Sequence, residues 1–294
     1  MTLSGVYVPL ITPFDDAGAV ALDALRTLAN DVLDAGAAGI VALGTTAEPA
    51  SLTVAEQRAA LDTIAQVCRD RSAPLVVGAS SADAVAALAG RPEVVAALSL
   101  VPPFLRPGEA GVIAHFTALT AASPVPLVVY HVPYRTGQEL SAGSIRRLAE
   151  LPGVAGIKYA TGGIDATAVR LLADPPAGLA VLGGDDAFIS PLLALGAHGG
   201  ILASAHVDTA AFVDLAAAWR AGDTTTARTL GGRLATLSGA LFAAPNPTVI
   251  KAVLHAHGRI PTPSVRLPLL PADPELVRTA LQLASSPHPR SGAS

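Results

Sequence analysis

Eight short apolar runs recur along the chain, at residues 6–11, 40–43, 75–78, 97–101, 127–132, 154–159, 179–182 and 200–203. Most are continuous rather than alternating, and several are rich in Val and Ile. A strand buried on both faces reads this way, because neither side meets water. The segments between them carry helix signals. Thr53, with Glu56 three residues on, opens 54–71 as a capping box, and 82–89, 109–121, 144–150 and 186–195 place apolar residues at helical spacing. Alternation of strand and helix through eight repeats predicts an α/β fold, a closed (β/α)8 TIM barrel. An open doubly wound sheet would show the same alternation and is the competing reading.

After the eighth run the pattern changes. Segments 209–221, 224–243, 248–257 and 273–283 all read as helices with no strand between them. The first closes the barrel and the other three form a C-terminal helical extension. The expected organisation is therefore a barrel domain over residues 1–222, a helical domain over 223–284 and a Ser/Pro/Gly-rich disordered tail over 285–294.

Composition narrows the function classes. The length of 294 residues suits either two ordinary domains or one barrel with an extension. A net charge of −4 with no run of like charges gives no basic face for nucleic acid or an anionic membrane. No long stretch is apolar enough to span a bilayer. The N-terminus lacks a basic region, and Pro9 and Pro13 break its apolar run, so it is not read as a signal peptide. The expected location is cytoplasmic. Cys68, the single cysteine, cannot form an internal disulfide and reads as a buried structural thiol in a helix.

Among 19 basic residues only two are lysines, Lys158 and Lys251. Each raises a question, since an amine can act as a nucleophile and a permanently protonated guanidinium cannot. Lys158 lies inside the apolar run Val154-Ala155-Gly156-Ile157-Lys158-Tyr159. Desolvation there disfavours the ammonium and leaves more free amine, which is what a Schiff-base lysine requires. The alternative is a lysine paired with a buried carboxylate. Lys251, in a helical segment, reads as a packing or surface residue.

In such a barrel the catalytic groups sit where strands end, and two other strand ends carry candidates. Gly44-Thr45-Thr46 offers two hydroxyls and successive backbone N–H groups that could hold a carboxylate, or it is an ordinary turn. Tyr130 ends the strand beside that of Lys158, where a phenol could pass a proton to a forming imine, or be a satisfied core tyrosine. Gly183-Gly184-Asp185-Asp186 reads as a tight strand-to-helix turn rather than a cation site. His255 and His257 face different ways on a helix, so no metal site is expected, and neither a dinucleotide fingerprint nor a phosphate-binding loop occurs.

Taken together these strand ends resemble the dihydrodipicolinate synthase and N-acetylneuraminate lyase family of pyruvate-dependent class I aldolases. The resemblance runs nearly end to end. It covers Thr12-Pro13-Phe14-Asp15, Gly44-Thr45-Thr46-Ala47-Glu48, Tyr130-x-Val132-Pro133-x-Arg135-Thr136-Gly137, Gly156 through Gly162, Gly184-Asp185-Asp186 and Asn246-Pro247. It implies a barrel with a C-terminal helical domain, with Lys158 as the Schiff-base lysine, Tyr130 as the proton-shuttling tyrosine and Thr45 as a relay threonine. It further implies that Thr46 binds the pyruvate carboxylate, that Gly184 and Ile201 line the pyruvate pocket, and that Arg135 holds the carboxylate of aspartate semialdehyde. Lys158 would attack the pyruvate ketone, and the protonated imine would act as electron sink while a methyl proton leaves. The enamine would then add to an aldehyde, with no metal or other cofactor called for. The partners are then small molecules, pyruvate or another 2-oxo acid and an aldehyde, and a homodimer or homotetramer is expected.

The chain also departs from the family. Leu105 stands where the synthases carry a second relay tyrosine, contributed across a dimer interface. His131 replaces a usual Asn, and Tyr134 occupies a position where a small residue is common, which predicts that it intrudes on the acceptor side. The loop 78–83 lacks the Asn and Glu that bind lysine in feedback-regulated synthases, which predicts no inhibition by lysine. The favoured activity is that of a 4-hydroxy-tetrahydrodipicolinate synthase. Leu105 and Tyr134 favour a second reading, an aldolase or dehydratase of the same family with another acceptor; a third is a non-catalytic oxo-acid-binding protein.

Overall fold

The computed structural model describes residues 3–285. The strands are β1 (Gly5–Pro9), β2 (Gly39–Ala42), β3 (Leu75–Gly78), β4 (Val94–Leu100), β5 (Leu127–His131), β6 (Val154–Tyr159), β7 (Ala180–Gly183) and β8 (Gly199–Ile201). They pair in parallel, each with the next, and β8 pairs back onto β1. The barrel is closed, so the open-sheet reading falls.

The helices are α1 (Leu22–Asp34), α2 (Val54–Asp70), α3 (Ala82–Ala86), α4 (Gly108–Ala122), α5 (Pro133–Thr136), α6 (Ala142–Ala149) and α7 (Ala166–Ala173). They continue with α8 (Ile189–Ala194), α9 (Thr209–Ala221), α10 (Thr224–Leu241), α11 (Thr248–Ala256) and α12 (Pro274–Ala284). Several starts are written in the sequence. The capping box of α2 forms, with the Glu56 N–H donating to the Thr53 hydroxyl and the Thr53 N–H donating to the Glu56 carboxylate. Ser141, Asp165, Asp208 and Asp223 cap α6, α7, α9 and α10 more simply, each side chain accepting one backbone N–H of the first turn. Each such cap contributes about 1 kcal/mol. Gly222, left-handed at φ +76°, ends α9.

The reason for the continuous apolar strands is now visible. Tyr7, Val41, Val76, Leu98, Val128 and Leu182 fill the barrel interior. Their neighbours in sequence, such as Val6, Ile40, Leu75, Leu127 and Val181, pack outward under the helices. Cys68 is buried in this outer layer, and burial pushes its thiol up to about 12, so it is inert.

Differences from the sequence reading are local. The segment 186–195 splits into a 3-10 turn at Asp186–Phe188 and α8, because the Asp186 side chain turns inward to the Ser204 N–H. Strand β8 stops at Ile201, and Ala203–His206 forms another 3-10 turn, closed by His206 accepting the Ile11 N–H and bonding the Ala203 carbonyl. The residues of the proposed tail beyond 285 lie outside the described residues. No helix among the described residues is long and apolar enough to cross a membrane.

Candidate active site

Parallel pairing places Lys158 of β6 opposite Tyr130 of β5 on one side and Leu182 of β7 on the other. Both Lys158 and Tyr130 project into the barrel at its C-terminal end. Lys158 is only 5% exposed, its Nζ lies 4.4 Å from the centre of the Tyr130 ring, and it makes no ion pair among the described residues. No direct ion pair of the kind the alternative reading requires is made among the described residues, and the carboxylates that feel the Lys158 charge, Asp185 and Asp186, act on it from beyond contact. Gly184 leaves the corridor for this side chain, because a Cβ there would meet the Lys158 Cε at 2.6 Å and Cγ at 2.9 Å.

A small cavity surrounds the amine, and it brings together every residue the sequence nominated: Thr45, Thr46, Tyr130, Arg135, Lys158, Gly184 and Ile201. Thr46 is buried on the 3-10 turn Thr45–Ala47, and its hydroxyl oxygen accepts a hydrogen bond from Asn246 Nδ2 at 2.9 Å. With an acceptor role filled, the Thr46 proton is free to donate into the cavity. Thr45 is exposed at the mouth. Arg135 is exposed too, and among the described residues its guanidinium makes no hydrogen bond or ion pair, only an approach of 5.9 Å to the Tyr134 ring. A lining that combines a buried amine, an exposed guanidinium and two hydroxyls suits small anionic carbonyl compounds.

Four further lining residues, Asp186, Ala203, Phe242 and Asn246, were given no site role by the sequence. Asn246 and Phe242 come from beyond α10, about two hundred residues from Thr46; Asn246 belongs to a motif of the resemblance but without a readable role, and nothing local in the sequence marks Phe242. Asp186 read only as a helix start. It is fully buried, accepts the Ser204 N–H at 2.5 Å, and burial pushes its carboxyl up to about 6.

Two of the departures sit elsewhere. Leu105 is 81% exposed and does not line the cavity, in a loop joined to α5 by the Phe104 N–H donating to the Thr136 carbonyl. His131, the Cα partner of Tyr159, points outward with it, and the two rings pack at 5.5 Å. Burial holds the imidazole down to about 4, so it is neutral at physiological pH. Behind it the Tyr159 hydroxyl donates to both Asp165 oxygens, at 2.8 and 2.9 Å. Tyr134, by contrast, does line the cavity.

Lys251 is not a surface residue. It is fully buried on α11, and its Nζ donates to Glu48 Oε1 at 2.8 Å and stands 4.0 Å from the Phe14 ring centre. Burial lowers its basicity, and Glu48 opposes that change. Glu48 holds a left-handed backbone at φ +56°, which the carboxylate contacts stabilise through Lys251 and the Arg266 N–H. The pair thus braces the turn that presents Thr45 and Thr46. Among the described residues no group of three or more His, Cys, Asp or Glu could hold a metal ion.

Comparison with known proteins agrees with this layout. The sequence profile of the dihydrodipicolinate synthetase family matches residues 2–285. A 4-hydroxy-tetrahydrodipicolinate synthase of Neisseria meningitidis serogroup B is 35% identical over 274 residues, covering 92% of this chain and 93% of that one. Among solved structures, dihydrodipicolinate synthase from Bacillus anthracis superposes with a TM-score of 0.90 at 30% identity, over 98% of this chain and all of that one. The chloride-inhibited enzyme from Acinetobacter baumannii, solved with pyruvate, gives 0.89 at 33% identity over 96% of this chain and 99% of its own. With the barrel closed, the lysine and tyrosine paired across β5 and β6, and relatives matched over nearly their whole length, the chain belongs to the dihydrodipicolinate synthetase family.

Proposed function

We propose that the protein is a Schiff-base-forming synthase that joins pyruvate to an aldehyde, of the 4-hydroxy-tetrahydrodipicolinate synthase type, with aspartate semialdehyde as acceptor. The observation that carries this reading is a buried lysine amine with no carboxylate partner among the described residues, set against a tyrosine ring at 4.4 Å. Lys158 Nζ adds to the pyruvate C2 carbonyl, and water leaves to give the protonated imine. Tyr130 and Thr45 are placed to move the protons that these steps require. Thr46 donates to the pyruvate carboxylate. The cationic imine then accepts the electron pair released as a methyl proton departs, and the resulting enamine attacks the aldehyde carbon. Arg135, without a hydrogen-bond or ion-pair partner among the described residues, holds the acceptor's carboxylate.

The test is borohydride reduction in the presence of pyruvate. A pyruvyl adduct on the peptide containing Lys158 is expected, and its absence, or its presence on Lys251 instead, would overturn the proposal. A binding protein without imine chemistry would give no adduct.

A second reading, an aldolase or dehydratase of the same family with a different acceptor, is favoured by Leu105, which is apolar and outside the cavity. Turnover across a panel of aldehydes separates the two. Free lysine at millimolar concentration is expected to leave the rate unchanged. The cavity under the loop after β3, lined by Leu43, Gln57 and Ser80, offers no charged side chain to either end of that ligand; inhibition in an initial-rate assay would refute this. We further propose a cytoplasmic homodimer or homotetramer, a state to which the exposed Phe104 and Leu105 would contribute buried surface.

A further inference from the structure

Three loops meet at the carboxylate of Asp185. Its Oδ2 accepts the Gly162 N–H at 2.6 Å, from the loop after β6, and its Oδ1 accepts the Tyr134 hydroxyl at 3.3 Å, from α5 after β5. The Tyr134 ring passes close to Gly162, where an added Cβ would meet its Cδ1 at 4.0 Å, and the Arg135 guanidinium stands 5.9 Å from the ring centre. Tyr134 thus neighbours both the Asp185 carboxylate, through its hydroxyl, and the exposed Arg135 cation, across its ring. Arg135 and Lys158 are both near enough to act on the Asp185 charge.

Charge at this mouth has an evident hazard. Arg135 is useful to an anionic acceptor only while it is not neutralised by the protein's own carboxylate, and Asp185 is the carboxylate in range. Burial and the adjoining Asp185 push the Tyr134 phenol up from its ordinary value, so it stays protonated and remains a donor. With Oδ1 and Oδ2 both occupied, Asp185 has less to gain from recruiting the guanidinium.

We propose that Tyr134 is a specificity-determining residue, whose hydroxyl satisfies Asp185 and so keeps Arg135 available for an aldehyde that carries a carboxylate. The inference rests on the reading of Arg135 as the acceptor's anchor. Removal of the hydroxyl alone frees Asp185 Oδ1, and Arg135 turns to it in competition with substrate. The acceptor is then held less well, and only an anionic acceptor suffers.

Steady-state kinetics at pH 8 with aspartate semialdehyde and with a neutral aldehyde of similar length test this. Tyr134→Phe is expected to raise KM for the anionic aldehyde about three- to fivefold, the upper end of what one exposed charge pair supplies, with KM for the neutral one unmoved. The double variant Tyr134→Phe/Asp185→Asn, which removes the competing charge, is expected to bring KM back to within about twofold of wild type. Borohydride trapping with pyruvate is run on the same variants to show that the lysine step survives. An unchanged anionic KM in Tyr134→Phe, an equal rise for both aldehydes, or no recovery in the double variant would each overturn the inference alone. If Arg135→Met leaves anionic KM as in wild type, the acceptor reading falls and takes the inference with it.

Discussion

The chain has two lysines, and the fold buries both, yet it puts them to opposite uses. Lys251, with no exposed surface, donates to Glu48 at 2.8 Å and sits over an aromatic ring in a site closed to substrate. Lys158 is nearly as buried and has an aromatic ring at similar range, but among the described residues it makes no ion pair, and a cavity opens in front of it. Burial therefore does not make a nucleophile. What distinguishes the two amines is whether a counter-ion fixes the charged form or an empty space admits an electrophile.

Substitution of the two residues should separate these roles. Lys158→Arg retains the cation and loses the nucleophile, so turnover should fall by at least about a thousandfold and the borohydride adduct should vanish while the melting temperature changes little. An adduct that persisted would break the contrast outright. Lys251→Met should do the reverse, with an unpaired Glu48 left in the interior at a cost of about 3–5 kcal/mol. Lys251→Met/Glu48→Leu should recover much of that stability in a urea titration. If the single variant were as stable as wild type, the brace assigned to this pair would be wrong.

A smaller effect sharpens the same comparison from outside the core. Arg266 donates to both Glu56 oxygens, at 2.6 and 2.9 Å, and this pairing holds the carboxyl down to about 2. A carboxyl depressed on folding contributes stability above its unfolded value, near 4.5, and that contribution is lost as pH falls from there toward 2. For a half-exposed pair it amounts to about 1 kcal/mol. Glu56→Gln should remove that part of the acid dependence in urea midpoints measured at pH 7, 4 and 3. His206, held down to about 4 by burial, adds its own loss between pH 6.5 and 4 in both proteins. Identical slopes below pH 4.5 would contradict the assignment to Glu56.

The barrel was legible because its signal is local. A strand buried on both faces must be apolar throughout, and a helix start needs a side-chain acceptor, so residues 154–159 and Thr53 with Glu56 announce themselves. Lys158 was legible for the same reason, as the one charge inside such a run. Its lack of a partner was not, because that depends on where every carboxylate of the other strands ends up. Lys251 shows the converse: its helix looked ordinary, and its partner lies two hundred residues earlier at a turn. Asn246 likewise carried a recognisable motif but no readable role, since only closure of the barrel and docking of α10 and α11 bring its amide to Thr46. Tyr134 stood out as a large residue at a small site, and only its bond to Asp185 suggested what that size is for.

The bond between Asn246 and Thr46 also bears on the order in which the protein is made. A nascent chain whose eighth strand has left the ribosome already holds Lys158, Tyr130 and both threonines, in a barrel whose strands can all be paired. It still lacks the amide that turns the Thr46 hydroxyl and the amine that holds Glu48. The lysine is thus in place well before the turn proposed to bind a carboxylate is, and a truncated product ending in α10 would carry the proposed nucleophile without the amide that orients that turn.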